Sequence, residues 1–204
     1  MRRKISGVLV CGIGTNSGEC PTQVGGKQLK EYKLWQDMLL RCTEKYWKKH
    51  PTYTGVACSE NFKSYTFFYE WCNQQIGFSN RDNKNRSWCL DKDLLVKGNK
   101  IYSEDTCVFV PERLNLLLVK GDAVRGEHPI GVSWDEANSK FMSRYVEYCG
   151  KQKNLGRFNT AQEAFQAYKF NKEALIKQVT DDYKASIDLR AYQALLNYTV
   201  EITD

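Results

Sequence analysis

Residues 131–174 constrain the fold of this chain more than any other stretch. Short segments separated by turn residues lead into a third segment that ends in Leu-Gly-Arg-Phe at residues 155–158. Thr160 then stands three residues before Glu163, the spacing of a capping box at the start of a helix. Apolar residues follow at helical spacing: Ala164, Phe165, Ala167, Tyr168, Leu175 and Ile176. This order predicts a three-stranded antiparallel sheet packed on one helix.

The Gly-Val opening at Gly131, the Leu-Gly-x-Phe segment and the Thr-x-x-Glu-Ala helix start resemble the plant ethylene-response-factor (Apetala-type) DNA-binding domain. That resemblance implies that the exposed face of the sheet lies in the major groove of double-stranded DNA. The sequence departs from the plant family in its first strand, where Ser133, Trp134 and Asp135 replace an arginine-rich pattern. The basic residues on or beside the strands are the expected DNA contacts: Lys140, Arg144, Lys151, Lys153 and Arg157.

Composition narrows the class of protein without identifying it. The 204 residues carry a net charge of +6, with a pI of about 8.8, which suits a polyanionic partner. No window approaches the ~18 apolar residues of a membrane span, and the basic start at 1–4 precedes a segment too short for a signal peptide. The sequence therefore favours a protein of the cytoplasm that spans no membrane.

Eight cysteines and two histidines are spread along the chain without any Cys-x-x-Cys pair. A structural zinc site is usually marked by such close ligand pairs, so none is expected. We interpret the cysteines as mostly buried free thiols in a reducing compartment, in preference to a disulfide framework. His50 and His128 both lie next to prolines in predicted loops and are interpreted as surface residues.

The first half of the chain predicts two helices after a glycine-rich segment at 5–26, which suits a loop or an edge strand. Apolar spacing predicts the helices over 28–49 and 60–76, with an aromatic stripe in the second that is typical of a core. The polar residues 77–87 contain Arg81, Lys84 and Arg86. They fit either a solvated turn or a loop that contacts phosphates.

Residues 88–119 differ from the two helical segments before them, because their pattern indicates strands as well as a helix. The pattern predicts a strand over 88–95, a turn at 97–100, a second strand over 106–110 and a helix that begins at Pro111. The tail continues as helix from Asp181, and residues 198–203 alternate like a short strand.

Segments 33–42 (KLWQDMLLRC), 51–53 (PTY), 90–93 (LDKD) and 102–103 (YS) resemble phage-encoded HNH nucleases. In that family a metal lies between a two-stranded hairpin and a helix, and in some members an Apetala-type domain follows. The resemblance implies a metal-dependent DNA endonuclease of homing type.

The family's functional positions fall on named residues of this chain. Asp91 and Asn115 correspond to the two metal ligands and to catalytic positions, and their oxygen donors suit Mg²⁺. Lys92 stands where the family has its histidine base, and a lysine that stays protonated is a poor base but can contact a DNA phosphate. Thr106 replaces the structural asparagine. Asp93, two residues from Asp91 along a strand, is the candidate replacement carboxylate and third catalytic residue.

Taken together, these patterns predict an α+β protein with an HNH-like domain at 1–120, an Apetala-type domain at 126–180 and an extension at 181–204. The expected function is binding and metal-dependent cleavage of double-stranded DNA, in the host cytoplasm if the chain is phage-encoded. The alternative is a DNA-binding or regulatory phage protein whose nuclease site has degenerated. A third class, a protein-binding module built on the same scaffold, would need a sheet face around Arg144 and Arg157 that is uncharged or covered.

Overall fold

The computed structural model describes residues 9–118, 126–147 and 150–204. The fold is α+β, as predicted, and the chain divides into two units, Met1–Pro111 and Glu112–Asp204. This division falls earlier than the boundary expected at residue 120. Asp91 therefore belongs to the first unit and Asn115 to the second.

The first unit contains three α-helices and three pairs of short strands among its described residues. The helices are α1 (Lys30–Arg41), α2 (Glu44–Lys49) and α3 (Tyr65–Gln74). The strands are β1 (Gln23–Val24), β2 (Lys27–Gln28), β3 (Ala57–Cys58), β4 (Cys89–Asp91), β5 (Ile101–Tyr102) and β6 (Val108–Val110). The β1–β2 and β4–β6 pairs are antiparallel, and β3 runs parallel to β5.

An aromatic core holds α1 against α3. Trp35, Phe62, Tyr65 and Phe68 are fully buried, and the indole Nε1 of Trp35 donates to the carbonyl of Phe62 at 2.8 Å. Because Gly14 lies directly on this core, a Cβ at that position would be 2.5 Å from the Trp35 ring. The aromatic stripe predicted as core is confirmed, and the glycine-rich segment contributes a close backbone approach there.

Several predicted boundaries in the first unit are wrong, and each error has a local cause. The predicted helix 28–49 is two helices, because Thr43 ends the first and its side chain accepts from the N–H of Tyr46 to start the second. The helix predicted over 60–76 begins only at Tyr65, after the short 3₁₀ turn Asn61–Lys63. The strand predicted over 88–95 ends at Asp91.

The second unit contains α4 (Glu112–Leu117), a three-stranded sheet, α5 (Ala161–Asp182) and α6 (Leu189–Leu196). The sheet order is β7 (Val132–Asp135), β8 (Lys140–Val146) and β9 (Gln152–Phe158), with both pairs antiparallel. The capping box between Thr160 and Glu163 is present with both of its hydrogen bonds. The predicted three strands, helix start and antiparallel order are therefore confirmed.

The sheet packs on α5 through a small apolar core. Phe165 and Tyr168 of α5 are buried with Val200, and Val132 and Tyr145 of the sheet pack against them. Gly131 permits this approach, because its φ is +77° and a Cβ there would lie 2.0 Å from Cδ2 of Tyr168. The sheet and the helix are thus joined at the glycine that opens the motif.

The predicted strand over 198–203 is wrong. These residues follow α6 as a turn-rich tail without strand pairing, and Val200 is buried against α5. The carboxylate of Glu173 accepts from the N–H of Val200 at 2.8 Å, and Lys169 donates to its carbonyl at 2.5 Å. Side chains of α5 therefore satisfy the backbone that a strand partner would otherwise bind. Part of the linker predicted at 120–129 lies outside the described residues.

Candidate nucleic-acid interface and the acidic loop

The two faces of the sheet in the second unit have different surroundings. Ser143 is fully buried and Tyr145 packs on the core of α5, so these residues of β8 point toward the helix. Side chains alternate along a strand. Lys140, Met142 and Arg144 therefore point to the opposite face, which we call the outer face of the sheet.

Residues of the two neighbouring strands, β7 and β9, also lie on the outer face. Met142 is opposite Ser133 of β7 and Arg157 of β9, while Lys140 is opposite Asp135 and Arg144 is opposite Asn154. Residues directly opposite each other in a sheet point to the same side. Three of the five basic residues predicted from sequence, Lys140, Arg144 and Arg157, are thus brought together on one face.

The charges on the outer face are only partly neutralised. The Nε of Arg157 donates to Oδ2 of Asp135 at 2.6 Å, and this contact holds the pKa of that carboxyl below its usual range. Arg144 donates to the hydroxyl of Ser133 at 3.1 Å. Within the described ranges no carboxylate lies within ion-pair distance of Arg144. Lys140 donates to Oδ1 of Asn159 at 2.7 Å, so the face keeps a net positive charge.

The structure does not place Lys151 and Lys153 with this group. Lys151 precedes β9, and Lys153 is opposite Tyr145, whose side chain faces α5. Lys153 also forms an ion pair with Glu147 at 3.5 Å. The pairing of β8 with β9 shifts by one residue between Ser143 and Arg144, so Leu155 of β9 has no partner on β8. The residues of β9 before Leu155 therefore point to the opposite side from the one that simple alternation predicts. Lys153 therefore points away from Arg157 although the two residues are an even number of positions apart.

In the first unit, Asp91 is bound to its own backbone. Its Oδ1 accepts from the N–H of Asp93 at 2.9 Å and from the N–H of Leu94 at 2.7 Å, so the side chain ends β4 and turns the chain. The residue is 7% exposed. Burial, followed by the nearby Asp93 carboxylate, raises the pKa of Asp91 to about 6.

The neighbours of Asp91 are also engaged within the loop 92–99. Lys92 donates to the carbonyl of Asn99 at 3.0 Å and forms an ion pair with Asp93 at 3.3 Å, and 13% of its side chain is exposed. The amide of Asn99 donates to the carbonyls of Lys92 and Ile101 at 2.6 and 2.7 Å. Lys92 thus holds the loop closed and does not extend from it as a phosphate contact would. Asp93 lies beyond the end of β4, so the prediction that it shares a strand face with Asp91 is wrong.

The remaining positions carried over from the nuclease family have local roles. The hydroxyl of Thr106 donates to the carbonyl of Ile101 at 2.9 Å and lies 2.8 Å from the hydroxyl of Ser103. Asn115 is half-buried on α4.

The loop 77–87 is folded around Asp82, whose carboxylate accepts from Lys84 N and Arg86 N and pairs with the Arg86 guanidinium at 2.6 Å. This self-contained hydrogen bonding favours the solvated turn over the phosphate-contacting loop.

The residues of the first unit fit a magnesium ion poorly. Oδ1 of Asp91 already accepts two backbone hydrogen bonds, and Oδ2 of Asp93 forms an ion pair with the Lys92 ammonium. In the part of the chain that the structure describes, no three His, Cys, Asp or Glu side chains cluster as metal ligands would. A hard divalent ion in a protein takes ~6 oxygen ligands, of which this loop offers few.

The burial of the cysteines and histidines agrees only in part with the prediction from sequence. The seven described cysteines are free thiols, but only Cys72 and Cys107 are buried, so the prediction of mostly buried thiols is wrong. Cys149 lies outside the described residues. His50 is exposed, whereas the ring of His128 packs edge-on to Phe141 at 5.3 Å.

Comparison with protein-family models, with curated proteins and with solved structures found no match. The two family resemblances therefore depend on the motif residues alone. None of the helices in the described ranges combines the length and apolar character needed to cross a membrane.

Sequence reasoning did not assign to the binding face the three residues that complete it: Ser133, Met142 and Asn154. Two-residue alternation from Arg144 identifies Met142 as a member of the face. Asn154 is detectable only once the register shift is known.

Proposed function

We propose that this protein binds double-stranded DNA through the outer face of the sheet in its second unit. The observation that carries this proposal is the grouping of Lys140, Arg144 and Arg157 on the face opposite α5. Arginine can bind phosphates or guanine edges with two hydrogen bonds, and lysine binds phosphates. In the part of the chain that the structure describes, the guanidinium of Arg144 bonds to the hydroxyl of Ser133 and to no carboxylate, so its charge is available for such a contact.

The dimensions of the sheet suit a groove of DNA. Three strands at about 4.8 Å spacing are about 10 Å across, which is within the roughly 12 Å width of the major groove. The outer face is mostly polar, with Ser133 and Asn154 beside the cations, and these groups can exchange their present hydrogen bonds for bonds to bases or phosphates. Charge and shape together favour a nucleic-acid partner over an apolar protein surface.

The test is fluorescence anisotropy with a labelled duplex, repeated over a series of salt concentrations. The double variant Arg144→Ala/Arg157→Ala should weaken binding at least tenfold and make the salt dependence less steep by about two phosphate contacts. Lys153→Ala/Lys177→Ala is the matched control, because it removes two positive charges from outside the outer face. Equal loss in both double variants would mean that net charge, not this face, drives binding.

A second basic surface provides a sharper comparison. The basic excess of the chain lies in the first unit, since basic and acidic residues are equal in number in the second. Lys45, Lys48 and Lys49 are exposed on α2. If Lys48→Ala/Lys49→Ala abolishes binding while Arg144→Ala/Arg157→Ala does not, the interface is on α2 and the proposed face is wrong.

One observation favours a second candidate, metal-dependent cleavage of DNA. Asp91 is buried beside Asp93 with a raised pKa, a combination that is frequent at functional sites and that a bound cation would relieve. Incubation of supercoiled DNA with Mg²⁺ or Mn²⁺, with EDTA as control, tests it. Nicking that Asp91→Asn removes would support cleavage. No nicking by the wild type or by Lys92→His, which restores the family's base, would exclude it.

A further inference from the structure

At the end of α1, the half-buried side chain of Arg41 is bonded to a tyrosine and not to a carboxylate. Its Nη1 donates to the hydroxyl of Tyr102 at 3.3 Å. Within the described ranges this is the single hydrogen bond of the guanidinium, and no Asp or Glu pairs with it. A guanidinium has about five N–H groups, so most of its donors are available to a ligand.

The position of Arg41 is fixed from two sides. Its backbone carbonyl accepts from the indole Nε1 of Trp47 at 2.9 Å, which holds α2 against the end of α1. Tyr102, the partner of its side chain, is buried on β5 and lies opposite Cys58 of β3. A guanidinium that is already held in place loses little conformational entropy when it binds an anion.

Three aromatic rings continue the surface from Arg41. The guanidinium carbon lies 6.0 Å from the centroid of the Tyr53 ring, which is a cation–π contact. The Tyr53 ring meets the Tyr46 ring edge-on at 5.3 Å, and the His50 ring lies 4.3 Å from that of Tyr46 at an angle of 30°. We call Arg41, Tyr46, His50 and Tyr53 the Arg41 patch. His50 is exposed, so its ring is accessible to a ligand.

Three lysines on α2 add positive charge beside the patch. Lys45, Lys48 and Lys49 are exposed, whereas α2 contains one acidic residue, Glu44. Cations at several positions favour a ligand with several negative charges over a single small anion. The half-buried Arg41 gains most from such a ligand, because a partly desolvated charge without a counter-ion is costly.

We propose that the Arg41 patch binds single-stranded nucleic acid. Arg41 binds a phosphate of the strand with two hydrogen bonds, the lysines of α2 neutralise neighbouring phosphates, and the ring of His50 stacks on an unpaired base. Cations interleaved with aromatic rings are the chemistry by which proteins hold unpaired strands. A duplex fits the patch less well, because its bases are stacked inside the helix. The patch lies in the first unit and does not depend on duplex binding by the outer face of the sheet.

The test is fluorescence anisotropy of labelled oligothymidylate with the full-length chain. Arg41→Gln should weaken binding by at least about tenfold. Arg190→Gln is the matched control, because it removes the same charge from a guanidinium that pairs with Asp188. His50→Ala should weaken binding by about fivefold or more, the effect of losing one stacked base. His128→Ala, which removes the other histidine of the chain, should leave the affinity unchanged.

Competitors separate the parts of the ligand. Pyrophosphate, at an ionic strength matched with sodium chloride, should compete far less well than unlabelled oligothymidylate, because it offers no base to stack. Equal competition per phosphate would mean that the site takes free phosphate, and it would overturn the proposal. Labelled oligouridylate distinguishes RNA from DNA as the source of the strand, and binding of either strand that depends on Arg41 supports the proposal.

A duplex of the same length separates this site from the outer face of the sheet. Arg41→Gln should lose more affinity for the single strand than for the duplex, and Arg144→Ala/Arg157→Ala should do the reverse. If Arg144→Ala/Arg157→Ala removes single-strand binding and Arg41→Gln does not, the patch is overturned and the outer face keeps its role. If duplex binding is absent but the single strand binds through Arg41, the patch stands without the outer face.

The proposal is also overturned if the wild type does not bind oligothymidylate, or if Arg41→Gln and Arg190→Gln lose equal affinity. Unchanged affinity of His50→Ala would overturn it as well. Lys48→Ala/Lys49→Ala should make the salt dependence less steep by about two contacts. Because these lysines and His50 are exposed, their variants decide the question even if Arg41→Gln fails to fold.

Discussion

The loop at 92–99 and the outer face of the sheet contain the same kinds of residue but use them differently. In the loop, Asp91 and Lys92 are bonded to nearby backbone groups, and the buried carboxylate of Asp91 lies near the exposed carboxylate of Asp93. On the outer face, the bonds of Arg144 and Arg157 within the described ranges are to side chains of the same surface. A motif of charged residues thus indicates a binding site more strongly where those charges are not already used to hold the local backbone.

The largest expected effect concerns the support of the outer face. Gly131→Ala should reduce the free energy of unfolding by about 3 kcal/mol, because it combines a left-handed φ with a clash against Tyr168. Urea denaturation measures the change. Gly126→Ala is the control, since a Cβ there has no neighbour within 4 Å. If Gly131→Ala were as stable as wild type, the sheet would not depend on its close approach to α5.

A smaller effect, with a defined pH dependence, is expected in the acidic loop. Because the folded-state pKa of Asp91 is raised to about 6, folding favours the protonated carboxyl. Its contribution to stability is full below pH ~4, the pKa of an unfolded aspartate, and is lost as the pH rises through about 6. Asp91→Asn keeps an oxygen for the two N–H groups and should stabilise the protein by about 2 kcal/mol at pH 8 and little at pH 4.

Chemical denaturation of both proteins across this pH range measures that difference. The depressed pKa values of Asp82 and Asp135 act in the opposite direction, but they are common to both proteins and cancel. Asp93→Asn is the control. It removes the smaller of the two causes and should give a smaller gain. Destabilisation of Asp91→Asn at pH 8 would mean that the charged carboxylate is needed, as a metal ligand would be.

The smallest expected effect separates two lysines on opposite sides of the sheet. Lys140→Ala should weaken DNA binding by about 1 kcal/mol and reduce the salt slope by about one contact. Lys153→Ala should change neither quantity, because Lys153 is opposite Tyr145 and pairs with Glu147. Anisotropy titrations of the two variants at matched salt make the comparison. A larger loss for Lys153→Ala would assign binding to the other side of the sheet.

The sequence by itself determined the elements whose signals are local. Three predictions depend on residues close together in the sequence, and all are confirmed. They are the Thr160–Glu163 capping box, the three strands before it and the aromatic stripe of α3. Local signals also explain the errors at Thr43 and Asp91, where a side chain that binds the backbone ends an element earlier than hydrophobic spacing predicts.

Only the tertiary structure decided which residues share a surface. Alternation along β9 predicts Lys153 on the same side as Arg157, but the register shift beside Arg144 reverses it. The hydrogen bond from Arg41 to the hydroxyl of Tyr102 also depends on how α1 meets the β3–β5 pair. Sequence spacing fixes the facing of residues within one regular element. Relations between elements depend on packing and register, because they are set by contacts between residues far apart in the chain.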